Sequence, residues 1–520
     1  MERKTINNNQ AMTEGGNSMK KLTCIGGALT GVLFSFPIMA AELRIGLQDD
    51  PDVLDPHQSR TFVGRIVYAG LCDKLVDITP ELEIVPQLAT DWEWSDDASQ
   101  LVMDLREGVV FHDGTPFDAQ AVVANIERAM TLPESRRRSE LASVDTVEAT
   151  GDYQVTFTLT SPDASLLAQL TDRAGMMLSP EAFEEMGANF GSNPVCSGPM
   201  RFVERVQQDR IVLEKFEDYW NAENIFIDRV TYLPIPDATV RLANLRSGDI
   251  NMLERLAASD ATAVQNAANL TYEEVVGLGY QALYVNIDNG PRADNPMGND
   301  NRLRQAFSLA IDRDAINQVV FEGTQSPGNQ PFPPSSPWYN ADIPVPERDV
   351  EAARALMQEA GFERLEVELQ VGNNPVQMQM MQVVQSMVAE AGFDVRLQAT
   401  EYTTLLSEQT AGNFQLSRSD WSGRIDPDGN LHQFVTCEGG INDVRYCNPE
   451  VDALLDEART FTEPSARKER YDAATQILQD DMPVIYLGHQ SYIWAMDEAI
   501  EGFVPSPDGM IRLTGMQIAE

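Results

Sequence analysis

Two periodicities alternate along this chain. Val155-Thr156-Phe157-Thr158-Leu159 and Leu365-Glu366-Val367-Glu368-Leu369-Gln370-Val371 switch between apolar and polar at every step, and each predicts a strand with one buried face. From residue 349 to 360 the spacing changes. Val350, Ala353, Leu356 and Met357 recur on one helical face, and Gly361 is placed to stop the helix. Residues 376–391 repeat this pattern with Gly392 behind them, and Val395, Leu397 and Ala399 then alternate as a strand. Residues 349–399 therefore predict helix, strand, helix, strand with short connections: a wound α/β unit around a parallel sheet. In such sheets ligands bind beyond the carboxyl ends of strands, where loops run into helix N-termini. One such loop is Gly372-Asn373-Asn374-Pro375. A second follows the strand-like stretch 414–419 and runs from Asp420 through Trp421, Ser422, Gly423, Arg424, Asp426 and Asp428 to Gly429. Residues 325–346 are rich in proline (Pro327, Pro331, Pro333, Pro334 and Pro337 among them) and read as a surface connector, neither helix nor central strand.

The N-terminus departs from this pattern. Met19-Lys20-Lys21 leads into an apolar run over 22–38, closed by Ala40-Ala41. A positive head, an apolar middle and a small-residue exit make a secretory signal peptide. The run is at the short limit for a spanning helix, so cleavage after Ala41 is expected, with Met19 as a second candidate start. Cys24 sits right after the lysines, at the very start of the apolar run, and is not placed to carry a lipid anchor. The remainder of the 520 residues exceeds what one core accommodates, so two or more domains are expected.

Export changes the reading of the cysteines, because an oxidising compartment permits disulfides. Cys437 and Cys447 close a short loop containing Gly439, Gly440 and Asn442, and are expected to pair. Neither a CxxC nor a nearby histidine pair supports zinc there. Whether Cys72 and Cys196 pair is open. The net charge is −42, and the first 41 residues carry four basic and two acidic groups, leaving −44 on the rest. Such a surface excludes a general binder of nucleic acid or anionic membrane, both of which require positive charge.

Enzyme motifs are few. There is no HExxH, no GxxxxGK[ST] and no GxSxG, and Gly277-Leu278-Gly279 lacks the third glycine of a dinucleotide loop. His57, His112, His432 and His489 lie far apart in sequence and read as structural or exposed, although a triad is set by geometry and not by order. Met378, Met380, Met381 and Met387 crowd one helix, as pliable core filling or as soft copper ligands. Trp421 is either a core residue or a wall of a ligand cleft, with the charges of its loop orienting the ligand.

Several longer stretches carry a family resemblance. The segment Trp94-Ser95-Asp96-Asp97 through Leu105-Arg106-Glu107-Gly108-Val109-Val110-Phe111-His112-Asp113-Gly114-Thr115-Pro116-Phe117 resembles the signature of the bacterial extracellular solute-binding proteins of family 5, the oligopeptide, dipeptide and nickel group. Asn193-Pro194-Val195-Cys196-Ser197-Gly198-Pro199 with Asp218-Tyr219-Trp220, the helix Arg304 to Arg313, and 351–362 match further family segments in order. The resemblance implies an α/β, type II periplasmic-binding-protein fold of two hinged lobes plus an extra domain (cluster C type). The implied partition is 1–41 extension and signal peptide; 42–75, 190–286 and 485–520 lobe I; 76–189 extra domain; and 287–484 lobe II. It implies a monomeric periplasmic protein without catalytic residues, metal or cofactor. Such a protein captures a peptide or peptide-like solute and hands it to an ABC permease and its ATPase. Glutathione, an opine-like conjugate or a nickel or other metal chelate are alternative cargoes, and a secreted hydrolase is the alternative activity.

Transferred position by position, the resemblance nominates Trp421, Ser422, Gly423, Arg424, Asp426, Asn374, Tyr402 and Ser197 as ligand-binding residues. One departure stands out. Peptide-binding members hold the ligand's amino group with an aspartate where this chain has Arg424, and the arginine that some members use for the carboxylate is missing around 371–374. Arg424 either meets an anionic group of the cargo or pairs structurally with Asp426 or Asp428.

Overall fold

The alternating stretches become strands in two of the three larger sheets of the computed structural model, which describes residues 41–519 apart from residue 96 and the side chain of residue 188. The expected signal peptide lies outside the described residues. The first sheet has seven strands, in the order Leu270–Val276, Ser491–Asp497, Met252–Leu253, Glu42–Leu47, Arg229–Pro234, Arg210–Lys215, Met200–Val206. Glu42–Leu47 runs parallel to both of its neighbours. The second has six: Ser326–Pro327, Val484–His489, Tyr280–Val285, Leu416–Trp421, Leu365–Gly372, Phe393–Thr400. Here Leu365–Gly372 is parallel to the strands on either side of it. The third is a four-stranded antiparallel sheet, Ala89–Trp94, Gln100–Leu105, Gln154–Leu159, Val144–Gly151.

The helix–strand–helix–strand unit stands as the periodicity predicts: Val350–Glu359, Leu365–Gly372, Pro375–Ala389, Phe393–Thr400. Val367, Leu369, Met380, Met381 and Val384 fill one apolar core beneath it, which makes these methionines packing residues. The proline-rich connector contributes only the two-residue edge strand Ser326–Pro327, where a missing amide donor is tolerated. The strand before the second candidate loop runs on to Trp421, two residues beyond the sequence expectation.

The chain passes between the two larger sheets at 277–279 and again at Gln490. These crossings lie side by side, with the Gly277 amide donating to the Gln490 carbonyl at 3.0 Å. The expected lobe boundaries at 286/287 and 484/485 are therefore corrected: Tyr280–Val285 and Val484–His489 pair within the second sheet. Apolar strands buried on both faces carry no mark of which sheet they join. Gly279 has a steric role at its crossing, because a Cβ there would lie 1.7 Å from the Trp421 carbonyl oxygen. Cys437 and Cys447 form the expected disulfide, and a second joins Cys72 to Cys196.

Candidate ligand-binding site

Five strands of the two larger sheets end at one seam, and the residues just beyond or at their carboxyl ends line it. Gln48 and Asp49 follow Glu42–Leu47, Arg255 follows Met252–Leu253, Asn374 follows Leu365–Gly372, and Tyr402 follows Phe393–Thr400. Asp420 and Trp421 close Leu416–Trp421. Two small cavities of about 80 and about 30 Å³ mark the seam and share Gln48, Arg255, Gln377 and Asp420. Phe62, Tyr402 and Trp421 give the smaller one its apolar wall. Clustering at strand carboxyl ends follows from the parallel geometry, which points loops and helix N-termini to one side.

The seam is also where charges meet across lobes. Arg60 Nη2 lies 2.5 Å from Asp443 Oδ2, and its Nη1 donates to Thr410 Oγ1 at 2.7 Å. Burial penalises the Arg60 charge, but Asp443 outweighs this and raises the guanidinium pKa. Asn374 caps the helix Pro375–Ala389 with its side-chain oxygen, and its Nδ2 donates across the seam to the Pro236 carbonyl at 3.2 Å. Burial, then the Glu254 carboxylate, pushes Asp49 up to about 7.

Trp421 combines the two roles that the sequence leaves open. It packs edge-on against Phe434 with ring centroids 4.8 Å apart, and its Nε1 donates to Asn430 Oδ1 at 2.8 Å, yet it borders the cavity. Ser422 Oγ accepts from Arg65 Nη1 at 2.9 Å. Gly423 sits at φ 84°, and a Cβ would lie 2.3 Å from the Leu278 carbonyl carbon, so this turn excludes side chains.

Of the two alternatives for Arg424, a structural pair with Asp426 or Asp428 is not what the structure shows. Asp426 is bound at both oxygens by Arg467, each contact 2.7 Å, and Asp428 by Arg459 at 2.7 and 2.8 Å. Both carboxylates are thereby committed. Arg424 instead lies over the Trp421 ring, 4.2 Å from its centroid, with Nε 3.4 Å from Asp172 Oδ2. Its Nη2 is buried without a partner. Burial lowers its pKa to about 9, with Arg65 and Arg173 acting the same way against Asp172.

Ser197 does not reach the seam. It is fully buried, and its hydroxyl donates to the Met177 carbonyl at 3.3 Å. The histidines do not converge. His112 and His489 bond to the Gly198 and Gly279 carbonyls, His57 to Arg128, and His432 to Asp456. No group of three or more potential metal ligands occurs among the described residues. A larger groove of about 530 Å³ runs between Trp94 and Leu167 on one side and Ile425 and Thr462 on the other. Of its charged residues, Asp426 and Arg467 are already each other's partners, and Asp163 accepts from the Ser165 amide and hydroxyl.

Sequence reasoning misses the facing wall: Arg65, Asp172 and Arg173. One signal was available. Arg65 interrupts the apolar helix Phe62–Leu71 and is 5% exposed, and a charge in a fully buried helix requires a partner.

The model of "Bacterial extracellular solute-binding proteins, family 5 Middle" matches residues 83–442. A glutathione-binding protein of Pectobacterium atrosepticum is 27% identical over 95% of this chain and 98% of its own length. A probable di/tripeptide-binding protein of Pseudomonas aeruginosa is 27% identical over 92% of this chain and 96% of that protein. A dipeptide-binding protein from Pseudoalteromonas sp. SM9913, solved with Met-Leu, shares the fold with a TM-score of 0.85 at 24% identity, covering 92% of this chain and 100% of that one. The fold is the type II periplasmic-binding architecture with its additional antiparallel unit, and the chain belongs to the bacterial extracellular solute-binding proteins of family 5.

Proposed function

We propose that this protein captures a small, peptide-like solute bearing an anionic group in the seam between its two larger sheets. It presents the closed complex, as a periplasmic monomer, to an ABC permease and its ATPase. One observation carries the reading. Arg424, on the loop that leaves the strand Leu416–Trp421 at the seam, is 6% exposed, lies 3.4 Å from Asp172, and keeps a donor without a hydrogen bond. A guanidinium has donors only, so this position cannot hold a free amine and is matched to a carboxylate or similar anion. Trp421, Phe62 and Tyr402 supply the apolar wall. Glutathione and di- or tripeptides, named for the relatives, fit this chemistry as cargo classes. Closure about the paired crossings excludes water and strengthens each polar contact, and the cargo leaves unaltered.

The test is calorimetric titration with the compound that co-purifies, identified by mass spectrometry. Arg424→Ala is expected to weaken binding by roughly 2–5 kcal/mol, as for one half of a buried charge pair. Recovery of the compound intact distinguishes binding from turnover. Unchanged affinity in Arg424→Ala would sink the anion assignment.

A further inference from the structure

The junction behind Arg424 holds more positive charge than the protein itself neutralises. Asp172 lies 2.5 Å from Arg65 Nη2, 3.3 Å from Arg173 Nε and 3.4 Å from Arg424 Nε. Arg173 and Arg137 then donate to a single carbonyl oxygen, that of Ser59, at 2.8 and 3.3 Å. Arg137 is held by Glu140 at 2.5 Å. Four guanidiniums, none more than 6% exposed, thus share two carboxylates. The next carboxylate, Asp508, is bound at both oxygens by Arg512. Buried donors are left over: Arg137 Nε, Arg173 Nε, Arg424 Nη2 and the Ser139 hydroxyl make no hydrogen bond, and the one acceptor left over beside them is Glu140 Oε2. The groups come from all three units. Arg65 lies on the first-lobe helix Phe62–Leu71, Arg137, Asp172 and Arg173 lie in the segment that accompanies the antiparallel sheet, and Arg424 lies on the second-lobe loop.

Resting on the solute-binding reading, we infer that this three-way junction is a subsite for a doubly anionic end of the cargo, such as a terminus bearing two carboxylates. An uncompensated buried charge is costly, and a well-placed counter-ion removes that cost. A single carboxylate would leave one guanidinium uncompensated, whereas two carboxylates balance all four. Arginine forks suit this task because each presents paired donors to one carboxylate. The pKa directions agree: burial, followed for Arg173 by the Arg137 charge, holds Arg173 down at about 10, and Arg424 is at about 9. Both stay cationic at neutral pH, inside a positive field.

Malonate and acetate, at matched ionic strength, test this on ligand-stripped protein by thermal unfolding. Malonate is expected to raise the melting temperature at millimolar concentration where acetate does not. Arg173→Met should abolish that difference and, by removing one like charge, should raise the melting temperature of the stripped protein. If this variant does not fold, Arg137→Gln is read in its place. Malonate no better than acetate would overturn the inference, as would an advantage that survives in the variants. Failure here with success of the Arg424→Ala titration leaves solute binding in place with a single anionic contact; failure of both removes the anion assignment as well.

Discussion

Replacing Asp443 with asparagine weakens the closed form of this protein, because the Arg60–Asp443 contact joins the two lobes. Arg60 precedes the first-lobe helix Phe62–Leu71, and Asp443 lies in the loop closed by Cys437–Cys447. The side chains are 12% and 6% exposed. When the lobes part, both charges return to water, so the contact contributes only to the closed side of the equilibrium. Asp443→Asn keeps the shape and one acceptor but removes the charge. A hydrogen bond to a charged group contributes about 1.5–3 kcal/mol, so the closed-to-open ratio should fall about 10- to 150-fold. If cargo is held only in the closed form, its apparent affinity falls by the same factor. Calorimetry with the co-purified compound reads the affinity, and small-angle X-ray scattering of the ligand-bound protein reads closure. The Arg60→Asp, Asp443→Arg double variant should recover part of the loss. Wild-type affinity together with an unchanged radius of gyration in Asp443→Asn would refute the reasoning.

Three further outcomes are expected. Cys447→Ser opens a loop with a sequence separation of 10, which should cost roughly 2–3 kcal/mol in the chain-entropy picture and weaken closure through Asp443; thiol labelling of the unfolded, unreduced protein should find no free cysteine among the four, and labelling of Cys437 and Cys447 would contradict it. Sodium chloride should raise the melting temperature by screening a surface far from neutrality, whereas a flat or falling curve would mean that the acids are locally compensated. Burial pushes Asp49 and Asp73 up to about 7 from the 3.8 of an unfolded carboxyl, so the folded state keeps protons that the unfolded state has lost. The stability from these groups is present on the acid side and is lost as pH rises through about 7. The melting temperature at pH 6 should exceed that at pH 8, and the reverse order would rule this out.

Local pattern was enough for the α/β unit over 349–399 and for the strand over 155–159, because side chains two, three or four residues apart report which face of an element is buried. It also singled out the loop after Leu416–Trp421 and the disulfide between Cys437 and Cys447. It could not assign Tyr280–Val285 and Val484–His489 to a sheet, since strands buried on both faces show no alternation. Nor could it sort the charges of the site loop. Asp426 and Asp428 stand beside Arg424 in sequence, yet Arg467 and Arg459, from the helices Pro464–Asp481 and Pro449–Thr460, take them. Arg424 turns to Asp172 and Arg60 to Asp443, partners hundreds of residues distant along the chain. The residues alone determined the family and the fold class of the protein. The ion pairs and the excess of buried guanidinium were decided only by tertiary structure, because electrostatic energy depends on distance and burial in space and not on separation along the chain.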